Sequence, residues 1–423
     1  MPQLRPFAAL RYDPSAVGDV GAVLCPPYDV IGAPEREALA GKAHNAVALE
    51  LPAATAGADR YDAAARLLGE WRSAGVLRLD PRPMIYVYEQ RHRLPGAPPD
   101  GLERLTRGFF CRLRLEEPGR GVLRHERTMS GPREDRFRLL AATKCNLSPV
   151  LMLYRSGSED APGMPSAQLL ERLTVPPADV DTHAQGAGQR MWAIDPGASP
   201  AAAELLALAA AQPLAIADGH HRYETALRYR DEVGGPGAKY VLVLLYDADS
   251  GGLGVLPTHR LLRVPDVGRL TAALWELFEF ESIADPDALG PAVQERGEGT
   301  IGMWTREGGL LLRQRAAAIE PLLPAGTSAL RRLDVTVLAA ALEHALGNST
   351  AQLDEQGRLM YTKDAAEALA QVRDGAADAC FLLNATPVGS VLEVASAGEL
   401  MPPKSTYFVP KAATGLAFNL LSA

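Results

Sequence analysis

The run Ala217-Asp218-Gly219-His220-His221-Arg222 places an acid, a glycine, two imidazoles and a guanidinium within six residues, directly after the apolar stretch Leu214-Ala215-Ile216-Ala217. A strand that enters a helix through a glycine turn leaves the first helical N–H groups unpaired, and the positive end of the helix dipole adds to them. Such a junction is an anion site, with Gly219 permitting close approach and His220, His221 and Arg222 adding donors. Asp218 at the strand end could hold Mg²⁺ or a substrate amine. The plainer alternative is that Asp218 caps the helix and the histidines lie on its surface. Adjacent histidines without a third ligand at suitable spacing do not make a zinc site.

Three further groups have the same chemical flavour. The loop His125-Glu126-Arg127-Thr128-Met129-Ser130-Gly131-Pro132-Arg133 sets one carboxylate, Glu126, among cations that include Arg133, a combination suited to a general base beside a phosphate. His259 and Arg260 follow Pro257-Thr258 just past a strand, and could meet the Asp218 motif at the same end of one sheet. Lys404, Ser405, Thr406 and Lys411 lie in a Pro-flanked stretch that cannot be regular helix, which frees Lys404 and backbone donors for an anion. Each has a structural alternative: a solvated charge pair for Glu126, a weak local motif for His259-Arg260, and a turn packed by Tyr407 and Phe408. No GxxxxGK, GxGxxG or GxSxG motif is present, which argues against a P-loop enzyme, a Rossmann dehydrogenase and an α/β-hydrolase.

The elements that must position these groups follow from periodicity. Residues 1–116 read as an N-terminal α/β unit, with the turn CPPYDVIG, a helix over Arg60–Gly75 and strands at Met84–Tyr88 and Gly108–Leu115. The intervening RHRLPGAPPDGLERL reads as an exposed hairpin loop. Residues 117–264 read as a core, with Pro132 in the first turn of a helix through Arg136–Ala142, a buried strand at Ser148–Tyr154 and an Ala-rich helix at Pro200–Ala211. In that core Arg222–Val233 reads as an amphipathic helix, Val241–Tyr246 as a strand and 157–188 as a variable stretch. Residues 265–375 read as a smaller α+β domain with helices at Leu270–Phe278 and Asp334–Leu346. Its hairpin, Thr300–Trp304 with Leu310–Gln314, turns at Glu307-Gly308-Gly309. Residues 376–423 form a return segment. The fold class is mixed α/β.

Composition narrows the function. A chain of 423 residues with 47% hydrophobic content can bury more than one core. Its apolar runs fall short of a membrane span, and its N-terminus does not read as a secretory signal, so a cytoplasmic location is expected. The cysteines Cys25, Cys111, Cys145 and Cys380 are far apart, which argues against a disulfide framework and leaves buried or idle thiols. A net charge of -8 gives no global attraction to nucleic acid. The arginines between Arg104 and Arg138, mixed with acids, fit a local anion pocket or a solvated face.

Seven ordered blocks carry a family resemblance: PPYDVI at 26–31, HERTMSGPREDRF at 125–137, NLSPVLMLY at 146–154, IADGHHRYETAL at 216–227, LPTHRLL at 256–262, FLLNATPV at 381–388 and MPPKSTYFVPK at 401–411. Together they resemble the family catalogued as domain of unknown function 1015 (DUF1015). The DGHHR block also resembles the phosphate-binding segment of the ParB/sulfiredoxin superfamily, which implies a ParB/sulfiredoxin-like core. That superfamily includes kinases acting on free L-serine that pair a D-G-H-x-R segment with a catalytic Glu, and Asp218, Gly219, His220 and Arg222 match the segment one by one. The resemblance thus implies a Mg²⁺-dependent phosphotransferase, with L-serine or a similar hydroxy amino acid as acceptor and ATP, ADP or pyrophosphate as donor. His220 and Asp218 would be catalytic, with Asp218 also the metal ligand, and Glu126, chosen by its chemistry and not by the motif, would be the catalytic base. Gly219, His221, Arg222, Arg133, His259, Arg260, Lys404, Ser405 and Thr406 would bind the donor phosphates. Its rival is a ParB-like nucleotide-binding regulator or nucleic-acid-associated protein, which the acidic balance and the missing helix-turn-helix signature disfavour.

Overall fold

The computed structural model describes residues 1–53, 59–95, 101–126, 131–156 and 164–421. The chain forms two compact units: Met1–Arg124, Thr128–Gly254 and Pro410–Ala423 in the first, His125–Arg127 and Val255–Val409 in the second. Mixed α/β architecture holds in both.

The first unit is built on a nine-stranded sheet. In chain order its strands are β1 (Leu4–Arg5), β2 (Ile85–His92), β3 (Arg104–Arg114), β4 (Val122–Leu123), β5 (Val150–Tyr154), β6 (Val180–Ala184), β7 (Ala187–Ile194), β8 (Leu214–Asp218) and β9 (Tyr240–Asp247). Their spatial order is β4-β8-β5-β9-β3-β2-β7-β6, with β1 paired to β3. Strand β9 sits between β5, parallel to it, and β3, antiparallel, and is buried along almost its whole length. That is why Val241–Tyr246 reads as one unbroken apolar run. Alternate residues Val241, Val243 and Leu245 join Val150, Met152, Leu214 and Ile216 in one core, closed by Leu169, Leu205 and Tyr223 from three helices.

Helix α1 (Arg60–Ser73) buries Tyr61, Ala64, Leu68 and Trp71, the stripe its sequence spacing requires. Helix α2 (Gly131–Thr143) holds Pro132 in its first turn. Residues 1–116 and 117–254 therefore supply strands to one sheet, where the sequence suggested two separate units, the second of them running on to 264. The reason is β3, whose edges pair with β2 on one side and β9 on the other. The stretch 157–188 holds a helix, Ser166–Leu173, and most of a β6–β7 hairpin. Strand β6 has only two buried positions and no apolar run, so it left little signal.

The second unit contains a six-stranded sheet of β10 (His259–Leu262), β11 (Phe278–Ile283), β12 (Thr300–Thr305), β13 (Gly308–Gln314), β14 (Leu359–Thr362) and β15 (Ala379–Leu382). The order is β11-β13-β12-β15-β10-β14. The expected hairpin is β12–β13, but it turns at Arg306-Glu307, with Gly308 and Gly309 already paired in β13. Strand β15, expected in a return segment, lies at the centre of this sheet between β12 and β10. Helix α4 (Asp334–Leu346) ends on Gly347 in the left-handed region. His259-Arg260 thus opens a strand of this sheet, whereas Asp218 ends β8 of the other, which corrects the expectation of a shared sheet end.

Candidate anion-binding site

In the first unit, the register of β8 against β5 slips so that Ile216 faces Met152 and Asp218 faces Leu151, leaving Ala217 as the extra residue of a bulge. The bulge re-aims the strand end, and Gly219 follows at φ 92° in the left-handed region before helix α3 (His220–Glu232) begins. His220, His221 and Arg222 occupy the first turn of α3, each half-buried. A Cβ on residue 219 would sit 2.8 Å from Arg222 Nε, so close packing as well as backbone conformation selects glycine.

Asp218 is ringed by cations. Its Oδ2 accepts from Lys411 Nζ at 3.0 Å and from Arg222 Nη2 at 3.2 Å, while Oδ1 accepts the Gly219 N–H at 2.9 Å. Burial pushes this carboxyl up, but Lys411 and then Arg222 outweigh it and hold Asp218 well below the usual carboxylate range. Arg222 also donates through Nη1 to the Pro149 carbonyl. Beside it, Arg136 stacks 4.3 Å from the Tyr28 ring and donates to the Glu50 carbonyl at 2.9 Å. Arg133, expected at the phosphate, pairs with Glu224 of α3 at 3.0 Å.

In the second unit, the MPPKST segment is held by side chains from three other sequence blocks. Glu126 Oε1 accepts the Lys404 N–H at 2.9 Å, and the His125 carbonyl accepts the Met401 N–H at 2.8 Å. His125 Nε2 lies 3.0 Å from Thr406 Oγ1. Arg260 Nη2 donates to the Lys404 carbonyl at 3.1 Å and the Pro403 carbonyl at 3.3 Å, and Thr386 Oγ1 donates to the Ser405 carbonyl at 2.8 Å. Lys404 itself has φ 60°, a conformation uncommon outside glycine. Burial lowers the Arg260 pKa to about 10. Burial also lowers His259 to about 4, and its Nδ1 accepts the Leu383 N–H at 3.2 Å, so its imidazole is neutral and engaged with the backbone.

The structure therefore gathers Glu126, Arg260, Lys404, Ser405 and Thr406 in one unit, and Asp218, Gly219, His220, His221, Arg222 and Arg133 in the other. Residues 127–130 of the HERTMSG loop lie outside the described residues. Lys411, which the sequence showed only as part of a Pro-flanked stretch, proves to be a direct partner of Asp218. Glu50 and Arg136 were missed. The PPYDVI block, through Tyr28, was the available signal for Arg136. No group of three or more His, Cys, Asp or Glu that could hold a metal exists among the described residues. Asp218 has both oxygens occupied by protein donors, so it does not fit a protein-held Mg²⁺ site. All four cysteines are buried and free.

The family model described as protein of unknown function (DUF1015) matches residues 4–336. The chain belongs to this family. A search of the curated proteins finds no match. Among solved structures, a free serine kinase in complex with AMP is 16% identical, with 70% of this chain and 88% of that chain covered at a TM-score of 0.37. A conserved hypothetical protein from Pyrococcus furiosus is also 16% identical, covering 70% and 92% at TM-score 0.37. SbnI from Staphylococcus aureus, with a C-terminal truncation, is 11% identical, covering 70% and 84% at TM-score 0.36. Among the described residues of this DUF1015 chain, no helix is long and apolar enough to cross a membrane.

Proposed function

We propose that this DUF1015 protein is a small-molecule phosphotransferase, most concretely a kinase that phosphorylates free L-serine from a nucleotide or pyrophosphate donor. The observation that carries the reading is the start of α3: a bulged strand end, a left-handed glycine, and a helix N-terminus whose first turn bears His220, His221 and Arg222. Phosphoryl transfer needs little covalent help from protein; it needs fixed cations and N–H groups around the phosphoryl oxygens and a base at the attacking hydroxyl. In this proposal the α3 amides and Arg222 hold the donor phosphates. Asp218 fixes Arg222 and Lys411 so that neither cation must reorganise as charge develops.

Glu126 is assigned the proton. As the serine hydroxyl oxygen forms its bond to phosphorus, the bond from phosphorus to the donor's bridging oxygen breaks, and the hydroxyl proton passes to a general base, the role for which Glu126 is proposed on its residue type alone. Mg²⁺ would enter with the donor, held chiefly by its phosphates and water, and would neutralise their charge. The Lys404 N–H and the Arg260 contacts to the Pro403 and Lys404 carbonyls support the segment beside Glu126.

The test is direct. Folded protein is incubated with L-serine, Mg²⁺ and ATP, ADP or pyrophosphate in turn, and phosphoserine is sought by phosphorus NMR and mass spectrometry. Formation of phosphoserine with one donor is expected. Its absence with all three removes the kinase reading.

A further inference from the structure

Beside Arg222, in the first unit, lies a small cavity of about 50 Å³ lined by Glu50, Arg136, Ser148, Arg222 and Thr225, among others. Its polar walls satisfy one another only in part. Glu50 is 3% exposed; its Oε1 accepts from Ser148 Oγ at 3.0 Å and lies 3.6 Å from Arg136 Nη1, while Oε2 is buried without a hydrogen bond among the described residues. Arg222 Nε and the hydroxyl of Thr225, itself 5% exposed, are likewise buried and unpaired among the described residues. An acceptor, a donor and a hydroxyl that can act as either thus line one cavity. Leaving a hydrogen bond unmade at a buried group is costly, so three such groups together call for a partner. The volume admits a few water molecules, each needing roughly 10–15 Å³.

We infer that Glu50 is a positioning residue for Arg222, acting through ordered water in the cavity that both line; its catalytic meaning rests on the anion-binding reading of Arg222. Arg136 fixes Glu50 through the main-chain carbonyl and the carboxylate, and is itself stacked on Tyr28. The Arg222 guanidinium has five N–H donors. One on Nη1 goes to Pro149, one on Nη2 to Asp218, and the Nε donor to the Glu50 water, so rotation is blocked on three edges and two donors remain for an anion. Burial pushes the Glu50 carboxyl up despite Arg136 and Arg222, as expected of a group whose second oxygen lacks a direct donor.

Crystals of the wild-type protein and of Glu50→Ala test the inference without any ligand. Ordered water within hydrogen-bond distance of Glu50 Oε2 and Arg222 Nε, and a displaced guanidinium in the variant, are expected. A dry cavity, or an Arg222 that stays put in Glu50→Ala, overturns the proposal. Calorimetric titration with pyrophosphate adds the functional arm: Glu50→Ala weakens affinity ~10-fold, the scale of one hydrogen bond to a charged group, while Glu50→Gln, which keeps an acceptor, stays within ~3-fold of wild type. In an Arg222→Lys background Glu50→Ala has no further effect, since the pair acts as a unit. Equal losses in both backgrounds make Glu50 a structural residue and sink the idea. If Glu50→Ala does not fold, Thr225→Val leaves the ion pair untouched and must still weaken pyrophosphate ~3-fold. Should wild-type protein bind no pyrophosphate while the water and the guanidinium shift are seen, the anion reading fails and the positioning role stands.

Discussion

Lys411 Nζ lies 3.0 Å from Asp218 Oδ2 across a separation of 193 residues, and the two share that carboxylate with Arg222. The pair ties the last segment of the first unit to the start of α3, so a cation remote in sequence sets the charge at the candidate anion site. Lys411→Met leaves Arg222 as the one cation bonded to Asp218, beside the Gly219 N–H. The expected cost is on the order of 2 kcal/mol, below the usual range for orphaning a buried charge because one partner remains. A denaturant titration reads it, and a loss below about 0.5 kcal/mol would mark the pair as an ordinary surface contact.

The same pair fixes the sign of an acid effect. Asp218 is held below its ordinary value of 3.8, so the unfolded state binds the proton more readily. The stabilisation is present above pH ~4 and lost as pH falls below it. Asp218→Asn should flatten this part of the acid limb of a stability profile. An unchanged limb would place the acid sensitivity elsewhere.

Gly219→Ala forces a side chain into φ 92° and a Cβ to within 2.8 Å of Arg222 Nε. Arg222 cannot swing aside without leaving Asp218 and Pro149. We expect a loss of about 1–3 kcal/mol in unfolding free energy, with a parallel loss of pyrophosphate affinity. Wild-type stability with weakened binding would assign the glycine to ligand approach alone.

His259 gives the second unit its own pH dependence. Burial lowers its pKa to about 4 from 6.5, so protonation costs folding free energy. The contribution is fully present above about pH 6.5 and is lost as pH falls through about 4, to a limit of roughly 3 kcal/mol. His259→Gln should be less stable at pH 7 yet show a shallower decline between pH 6.5 and 4. A decline as steep as wild type would rule His259 out as its source.

The strand-to-helix junction at Asp218 was legible because an apolar run meets a glycine, and both signals are local. The bulge that displaces Ala217 was not, since register depends on β5, more than sixty residues earlier. Arg133 was legible as a charge and illegible as a partner of Glu224, because the α2–α3 packing that joins them has no sequence signature. Glu126 and Lys404 could be named as polar groups in unusual loops. Their hydrogen bond across 278 positions emerges only from the fold. Glu50, on a four-residue helix with no periodic pattern, gave no sign of its burial.

The assignment of Glu126 is the sharpest point to test, because one side chain is given both a proton and a loop to hold. Its Oε1 accepts the Lys404 N–H, and that bond supports a lysine in the left-handed region. Glu126→Gln keeps a carbonyl oxygen for Lys404 but removes the proton acceptor. Phosphoryl transfer should then fall by roughly 10²- to 10⁴-fold while donor affinity barely changes, the signature of a general base. Glu126→Ala loses both functions, so it should match that loss in turnover and also lower the melting temperature. If Gln restores full turnover while Ala abolishes it, Glu126 supports the Lys404 segment and the base lies elsewhere. If donor affinity falls in the Gln variant at unchanged turnover, the carboxylate positions the donor or its Mg²⁺ instead of taking the proton.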